Sequence, residues 1–218
     1  INKIERSNRK TISLLLHADA TLTVKAPFLA TDIQIQQVIK KKESWINLRL
    51  KEIDKYTIFS TKEYVNGESF QVLGKPYRLK IGNYPEIELG EYLYFPAKDF
   101  DTIQKKLTEW YKRLAIKKIS SRTRWFSKKI GVEYPALKLS TSSNRWSACG
   151  RTTTISINWR LIMVPLSVMD YVIVHELTHI YKKKHSKQFW NRLKTVLPNY
   201  EESREWLKKN GHILTFPT

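Results

Sequence analysis

The sequence predicts an α+β protein, in which a β-rich region over residues 1–95, carrying one helix, precedes a helix-flanked domain over residues 96–218. Three observations predict it. Short β-rich runs punctuated by Gly and Pro fill the first half. A long stretch from Asp99 to Ile130 carries apolar residues at helical spacing. Three more β-like runs then lead into a series of short helices that ends the chain.

Taken in order, "TISLLLHADATLTVKAP" (Thr11–Pro27) reads as a β-hairpin whose polar break centres on Asp19. His17 falls in its first strand without a ligand-type neighbour and is read as structural. Thr31 or Asp32 caps a helix in which Ile33, Ile35, Val38, Ile39, Trp45, Ile46 and Leu50 recur to about Ile53. "ESFQVLGKPYRLKIG" and "EIELGEYLYFPA" supply further strands. In the helix over 99–130, Ile103, Leu107, Trp110, Leu114 and Ile119 are expected to face inward, with lysines and arginines over the rest. "ALKLS", "RWSAC" and "TTTISINW" are the β-like runs that follow. Ser167 then reads as an N-cap, with Asp170 closing a capping box and Leu166 stapling onto Tyr171. Helices over 186–196 and 201–209 come last, with Pro198 and Gly211 as stops. Trp159, Phe189, Trp190 and Trp206 are expected to pack around these helices.

An apolar fraction of 41 % permits a real core. No apolar run approaches the ~20 residues of a membrane span, and no signal peptide is legible. With Cys149 as the lone cysteine, no intrachain disulfide forms, and a cytoplasmic location is expected. Cys149 itself reads as a buried thiol. The net charge is +19, with +8 over residues 101–140 and +7 over 141–218. Such a field serves solubility, or attracts a polyanion such as nucleic acid or a nucleotide.

The chemistry concentrates in "YVIVHELTHIYKKKHSKQFW" (Tyr171–Trp190), which holds three of the five histidines. On a helix, His175 and His179 are four apart and share a face, so their ring nitrogens converge on one point at Zn–N distances of about 2.0–2.1 Å. Glu176 is displaced around the axis and reaches a water rather than joining the ligands. His185 becomes a third ligand if the helix ends near Tyr181 or Lys182 and the chain turns back. The spacing matches that of metzincins, although Lys182 stands where those have the glycine of a sharp turn. Chance placement at this composition yields on the order of 10⁻² such H-E-x-x-H matches, and on the order of 10⁻⁴ with His185 included, so the cluster is not an accident of composition. Asp170, close by, is better explained by the helix start.

"RWSAC", "INWRLIMVP", "DYVIVHELTHI", "HSKQFW" and "LPNYEESREWLKKNG" resemble the YgjP-like metallopeptidase family, as do "SNRKTISL", "VKAP", "KKKESWI" and "VLGKPYRL" nearer the start. The resemblance spans nearly the whole chain. It implies a zincin-like core, with a small sheet beside the H-E-x-x-H helix and a distant similarity to SprT-like proteases. It also implies His175, His179 and His185 as metal ligands and Glu176 as base. Ser147 and Ala148 depart from the Gly-Ser usual between the Trp and Cys of the Arg-Trp motif, and Lys182–Lys184 is an atypical turn.

The expected function is therefore a Zn²⁺-dependent hydrolase of peptide or protein substrates, with Glu176 as general base. Arg145 and Trp146 are candidates for substrate contact, and Arg145, Tyr171 and His212 for help to the oxyanion. Two alternatives stay open. One is a metal-dependent nucleotide pyrophosphatase. The other is a basic, nucleic-acid-associated protein of SprT-like character, although no helix-turn-helix, zinc-finger or RNP motif is present.

Overall fold

A computed structural model of the chain describes residues 2–16, 21–48, 50, 62–142, 146–149 and 154–211. His17, Asp19, Arg145, His212 and the far end of the first predicted helix lie outside the described residues, as does the side chain of Cys149. The chain forms two compact units, Ile1–Thr61 and Lys62–Thr218. Residues 62–95, read from sequence with the N-terminal region, thus belong to the unit that holds the histidines.

In the first unit, β2 (Ser13–Leu16) and β3 (Leu22–Pro27) pair antiparallel as the hairpin pattern predicts. Strand β1 (Lys3–Ser7) adds to β3 in parallel, giving the order β1-β3-β2. Helix α1 (Asp32–Lys41) starts at a reciprocal capping box: Thr31 Oγ1 accepts from the Gln34 amide, and Gln34 Oε1 accepts from the Thr31 amide. The helix stops at a turn on Lys42, short of the expected length, and residues 43–48 are helical again. Ile33 and Ile35, two apart on the same helix, cannot share one face. Ile35 packs with Val24, Ala26 and Ala30, whereas Ile33 is exposed.

The second unit builds two small sheets around a long helix. Strands β4 (Ser69–Val72), β5 (Lys75–Gly82), β6 (Glu88–Leu89) and β7 (Leu93–Pro96) lie in the order β4-β5-β7-β6. A 3₁₀ turn over Ala97–Thr102 leads into α2 (Ile103–Ile130), which ends on Gly131 at φ 72° in the left-handed cap that glycine favours. The buried stripe of α2 advances mostly in fours, through Ile103, Leu107, Tyr111, Ala115, Ile119 and Thr123. Trp110 and Leu114, expected inside, sit half-buried at its margin. Strands β8 (Leu137–Ser140), β9 (Ser147–Cys149) and β10 (Ile155–Asn158) form the second sheet in the order β8-β10-β9. β9 is therefore an edge strand, antiparallel to β10.

Helix α3 (Leu166–Tyr181) follows, and its start differs from expectation. Pro165 occupies the cap position and no side chain caps the helix. The Pro165 carbonyl instead accepts from the amides of Val168 and Met169 at 2.9 and 3.1 Å. Asp170 is not part of a capping box, because a stronger partner claims it. Arg122 of α2 donates to its two carboxylate oxygens at 2.8 and 2.6 Å, a bidentate tie between the two helices. The β4–β5 turn clamps the same helix start. The amides of Leu73 and Gly74 donate to the carbonyls of Ile162 and Met163 at 2.7 and 3.1 Å. Gly74 has φ 77°, and a Cβ there would lie 2.8 Å from Pro165 Cα, so only glycine fits.

Helices α4 (Lys187–Val196) and α5 (Tyr200–Asn210) close the unit. Ser186 caps α4, its hydroxyl accepting from the Phe189 amide at 3.4 Å. One continuous core joins Leu107, Tyr111 and Phe126 of α2 to Trp159, Val172, Ile173 and Leu177 near or on α3, and to Phe189 and Leu193 of α4. Each fully buried Leu or Ile in it is worth roughly 1.5–3 kcal/mol over its exposed state. Among the described residues, no helix is long and apolar enough to cross a membrane.

Candidate metal centre

Two turns of α3, from Val168 to Val174, are buried on every side. That burial holds the helix rigidly in the core and leaves its C-terminal half to reach the surface. His175 and His179 emerge there on one face, and the chain beyond Tyr181 turns back. Lys182 is extended, at φ −132° and ψ 103°, and residues 182–184 have no positive φ. The bend is thus made without the left-handed residue that a glycine turn uses, which explains how three lysines are tolerated. It returns His185 to the helix.

The three imidazoles converge. His175 Nε2 lies 3.2 Å from His179 Nε2 and 3.0 Å from His185 Nε2. The candidate ligand atoms of the three residues all lie within 4.8 Å of one another. Two nitrogens on one tetrahedral zinc stand about 3.3 Å apart, given Zn–N distances of about 2.0–2.1 Å. The donor set therefore fits a divalent transition metal of that size.

Protonation favours the same reading. A carbonyl can only accept, so the 3.1 Å contact of His179 Nδ1 with the Lys182 carbonyl puts the proton on Nδ1 and leaves the Nε2 lone pair free. The bend that delivers His185 also sets this tautomer. Burial, then the neighbouring His179 and His185, then Arg204, push the His175 pKa down to about 3, so that ring stays neutral. His185 is held below the ordinary range by partial burial, then by His179 and Arg204. Phe189 packs 5.0, 4.7 and 4.8 Å from the three rings, and Trp190 stacks on His185 at 5.5 Å and 21°. His185 is the exposed member, so the cluster opens to solvent on its side.

Glu176 is only 4 % exposed. Its Oε1 accepts from the Ser147 hydroxyl of β9 at 2.8 Å, and its Oε2 is buried with no partner among the described residues. Burial pushes its pKa up to about 7, and the Ser147 bond opposes that rise. A carboxyl poised near neutrality beside a cluster of ligand-type nitrogens is equipped to take and return a proton.

The other predicted residues separate. Trp146 is half-buried and packs against the main core, with its ring so close to Gly211 that a Cβ there would lie 3.0 Å from Nε1. Tyr171 is buried, 5.8 Å from the His175 ring, and stacks on Tyr200 at 6.2 Å, its hydroxyl pKa raised chiefly by burial. Asp170 stands apart with Arg122. Sequence reasoning missed Ser147 as the partner of Glu176, and missed Arg204, whose guanidinium lies 4.8 Å over the Trp190 ring. A usable signal existed for the second. Tyr200 and Arg204 are four apart on α5, and Tyr200 also stacks on Trp190, at 5.5 Å.

A family model described as YgjP-like, metallopeptidase domain, matches residues 10–210. Among solved structures, the chain is similar to the metallopeptidase zymogen of Pyrococcus abyssi, abylysin. That match has 18 % identity and a TM-score of 0.38, and covers 42 % of this chain and 93 % of that one. No curated protein matches the chain.

Proposed function

The chain belongs to the YgjP-like metallopeptidase family, and we propose that it hydrolyses peptide bonds in peptide or protein substrates with one zinc ion held by His175, His179 and His185. At the family level it is a metal-dependent peptidase. The observation that carries the finer reading is the convergence of three imidazole nitrogens beside a buried carboxylate with one oxygen unpartnered.

Zinc, when bound there, supplies a Lewis acid that polarises a carbonyl and acidifies water. Glu176 supplies the base: Oε2 takes the proton of the attacking water, and the same oxygen returns it to the leaving amine. Ser147 holds Oε1, so the carboxylate presents one defined oxygen to the reaction. The Lys182 carbonyl sets the tautomer of the neutral His179 ring, so that Nε2 is the nitrogen it offers to a metal. Edge strand β9 runs past Glu176 and is where an extended substrate can add.

The decisive experiment replaces Glu176 with Gln. Zinc content by elemental analysis should be unchanged, while turnover of casein-like peptides falls by at least a hundredfold. Retained turnover rejects Glu176 as the base. Zinc-loaded wild type assayed on nucleoside triphosphates should release no pyrophosphate or phosphate, and release there would favour the pyrophosphatase alternative.

A further inference from the structure

We propose that Arg204, lying on the face of Trp190 beside the three-histidine cluster, anchors a carboxylate of the peptide substrate. The idea deepens the peptidase reading above and rests on it.

Arg204 stands on α5 between Glu201 and Glu205, yet among the described residues it pairs with no carboxylate. Glu205 turns to Lys208 and Lys209 instead, at 3.8 and 3.9 Å. Other arginines around α3 are committed. Arg122 grips Asp170, and Arg192 stacks on Tyr181 at 3.7 Å while donating to the Ile130 carbonyl at 3.3 Å. Arg204 gives only its flat face to a neighbour, 4.8 Å over Trp190. A guanidinium stacked in that way keeps the N–H donors of its edge free, in the planar fork that matches a carboxylate.

Trp190 determines where that fork sits. Its ring stacks on His185 at 5.5 Å and lies 6.0 Å from His175, so Arg204 is one aromatic layer away from two of the three imidazoles. Its charge reaches His175, His185, Tyr171 and Tyr200. Nearby Lys182, Lys183 and Lys184 are exposed point charges on flexible stems, which lack the planar fork of a guanidinium. A peptide bound at the cluster can bring a carboxylate to Arg204 from two sources: a free C-terminus, or an Asp or Glu side chain near the scissile bond. The shared chemistry is a carboxylate received by a supported guanidinium.

The test uses four N-blocked peptides with one common scissile bond. They carry Glu or Gln beside that bond, and a free or amidated C-terminus. Binding is measured by calorimetry on zinc-loaded Glu176→Gln protein with and without Arg204→Ala, and initial rates on zinc-loaded wild type, Arg204→Ala and Arg204→Lys. Zinc content and melting temperature of the Arg204 variants should match their parents. Wild type should prefer one carboxylate-bearing peptide, and Arg204→Ala should cost that peptide about tenfold to a hundredfold in both affinity and kcat/KM. The neutral amidated Gln peptide should be unaffected, and Arg204→Lys should recover part of the loss. Dependence on the amide identifies the C-terminal source, and dependence on Glu the side chain. Equal affinity for all four peptides, or an equal loss on all four with Arg204→Ala, overturns the proposal. Carboxylate-selective binding with no cleavage of any peptide would support Arg204 while sinking the peptidase reading.

Discussion

The Ser147 hydroxyl on β9 donates to Glu176 Oε1 on α3 across 2.8 Å, and the opposite oxygen, Oε2, is left buried without a partner among the described residues. One hydrogen bond therefore splits a symmetric carboxylate into a held oxygen and an unpartnered one. It also links the edge strand to the helix that carries the histidines.

That arrangement has a signature in the metal-free protein. Burial raises the folded-state pKa of Glu176 from 4.5 to about 7. A group raised on folding lends its full contribution below its unfolded pKa and loses it as pH rises through the folded value. Metal-free wild type should therefore lose about 3 kcal/mol from this group between about pH 5 and pH 8. Denaturant melts across that range should show the loss as the difference between wild type and Glu176→Gln, because His175, held neutral down to a pKa of about 3, adds a slope of the opposite sign in both proteins. Ser147→Ala removes an interaction that lowers the pKa, so its window should move to higher pH. Parallel stability curves for wild type and Glu176→Gln would count against a buried, proton-sharing Glu176.

His185 is the exposed ligand candidate, delivered by an extended bend rather than by the helix. His185→Ala should lower zinc affinity by more than about a hundredfold, beyond the loss typical of an outer-shell change. Competition against a chromogenic chelator measures it. Stripping zinc from wild type should lower the melting temperature and abolish hydrolysis, and added zinc should restore both. Full affinity in the variant would remove His185 from the site.

The Arg122–Asp170 pair is structural. Arg122→Ala leaves a buried carboxylate without its cation and should destabilise the protein by about 3–5 kcal/mol. Replacing both residues with apolar side chains of similar volume should cost much less. Chemical denaturation of the two singles and the double variant checks this, with zinc affinity changing no more than a few-fold. A large loss of affinity in Asp170→Asn would instead place Asp170 in the metal centre.

Gly74 tests how tightly the β4–β5 turn holds the start of α3. Gly74→Ala meets both a left-handed φ and a Cβ position 2.8 Å from Pro165 Cα. It should cost roughly 1–3 kcal/mol of strain, read from denaturant midpoints. Gly67 also has positive φ but open space around it, so Gly67→Ala should cost less.

The histidine pair and Glu176 are legible along the chain because helix geometry is local. Residues four apart share a face wherever the helix lies, and an H-E-x-x-H run carries its own geometry. The hairpin over Thr11–Pro27 and the Ser186 cap are legible for the same reason, since each depends on neighbours a few positions away. At Asp170 that local logic points the wrong way. The Ser-x-x-Asp pattern suits a capping box, but a guanidinium 48 positions earlier outbids it once α2 and α3 pack. The meeting of Ser147 with Glu176, the bend that brings back His185 without a glycine, and the seat of Arg204 on Trp190 are likewise products of packing. Periodicity reports which face of an element is apolar, not which distant side chain will meet it there. Those pairings exist only after burial has brought separate segments together and removed the water that would otherwise satisfy them.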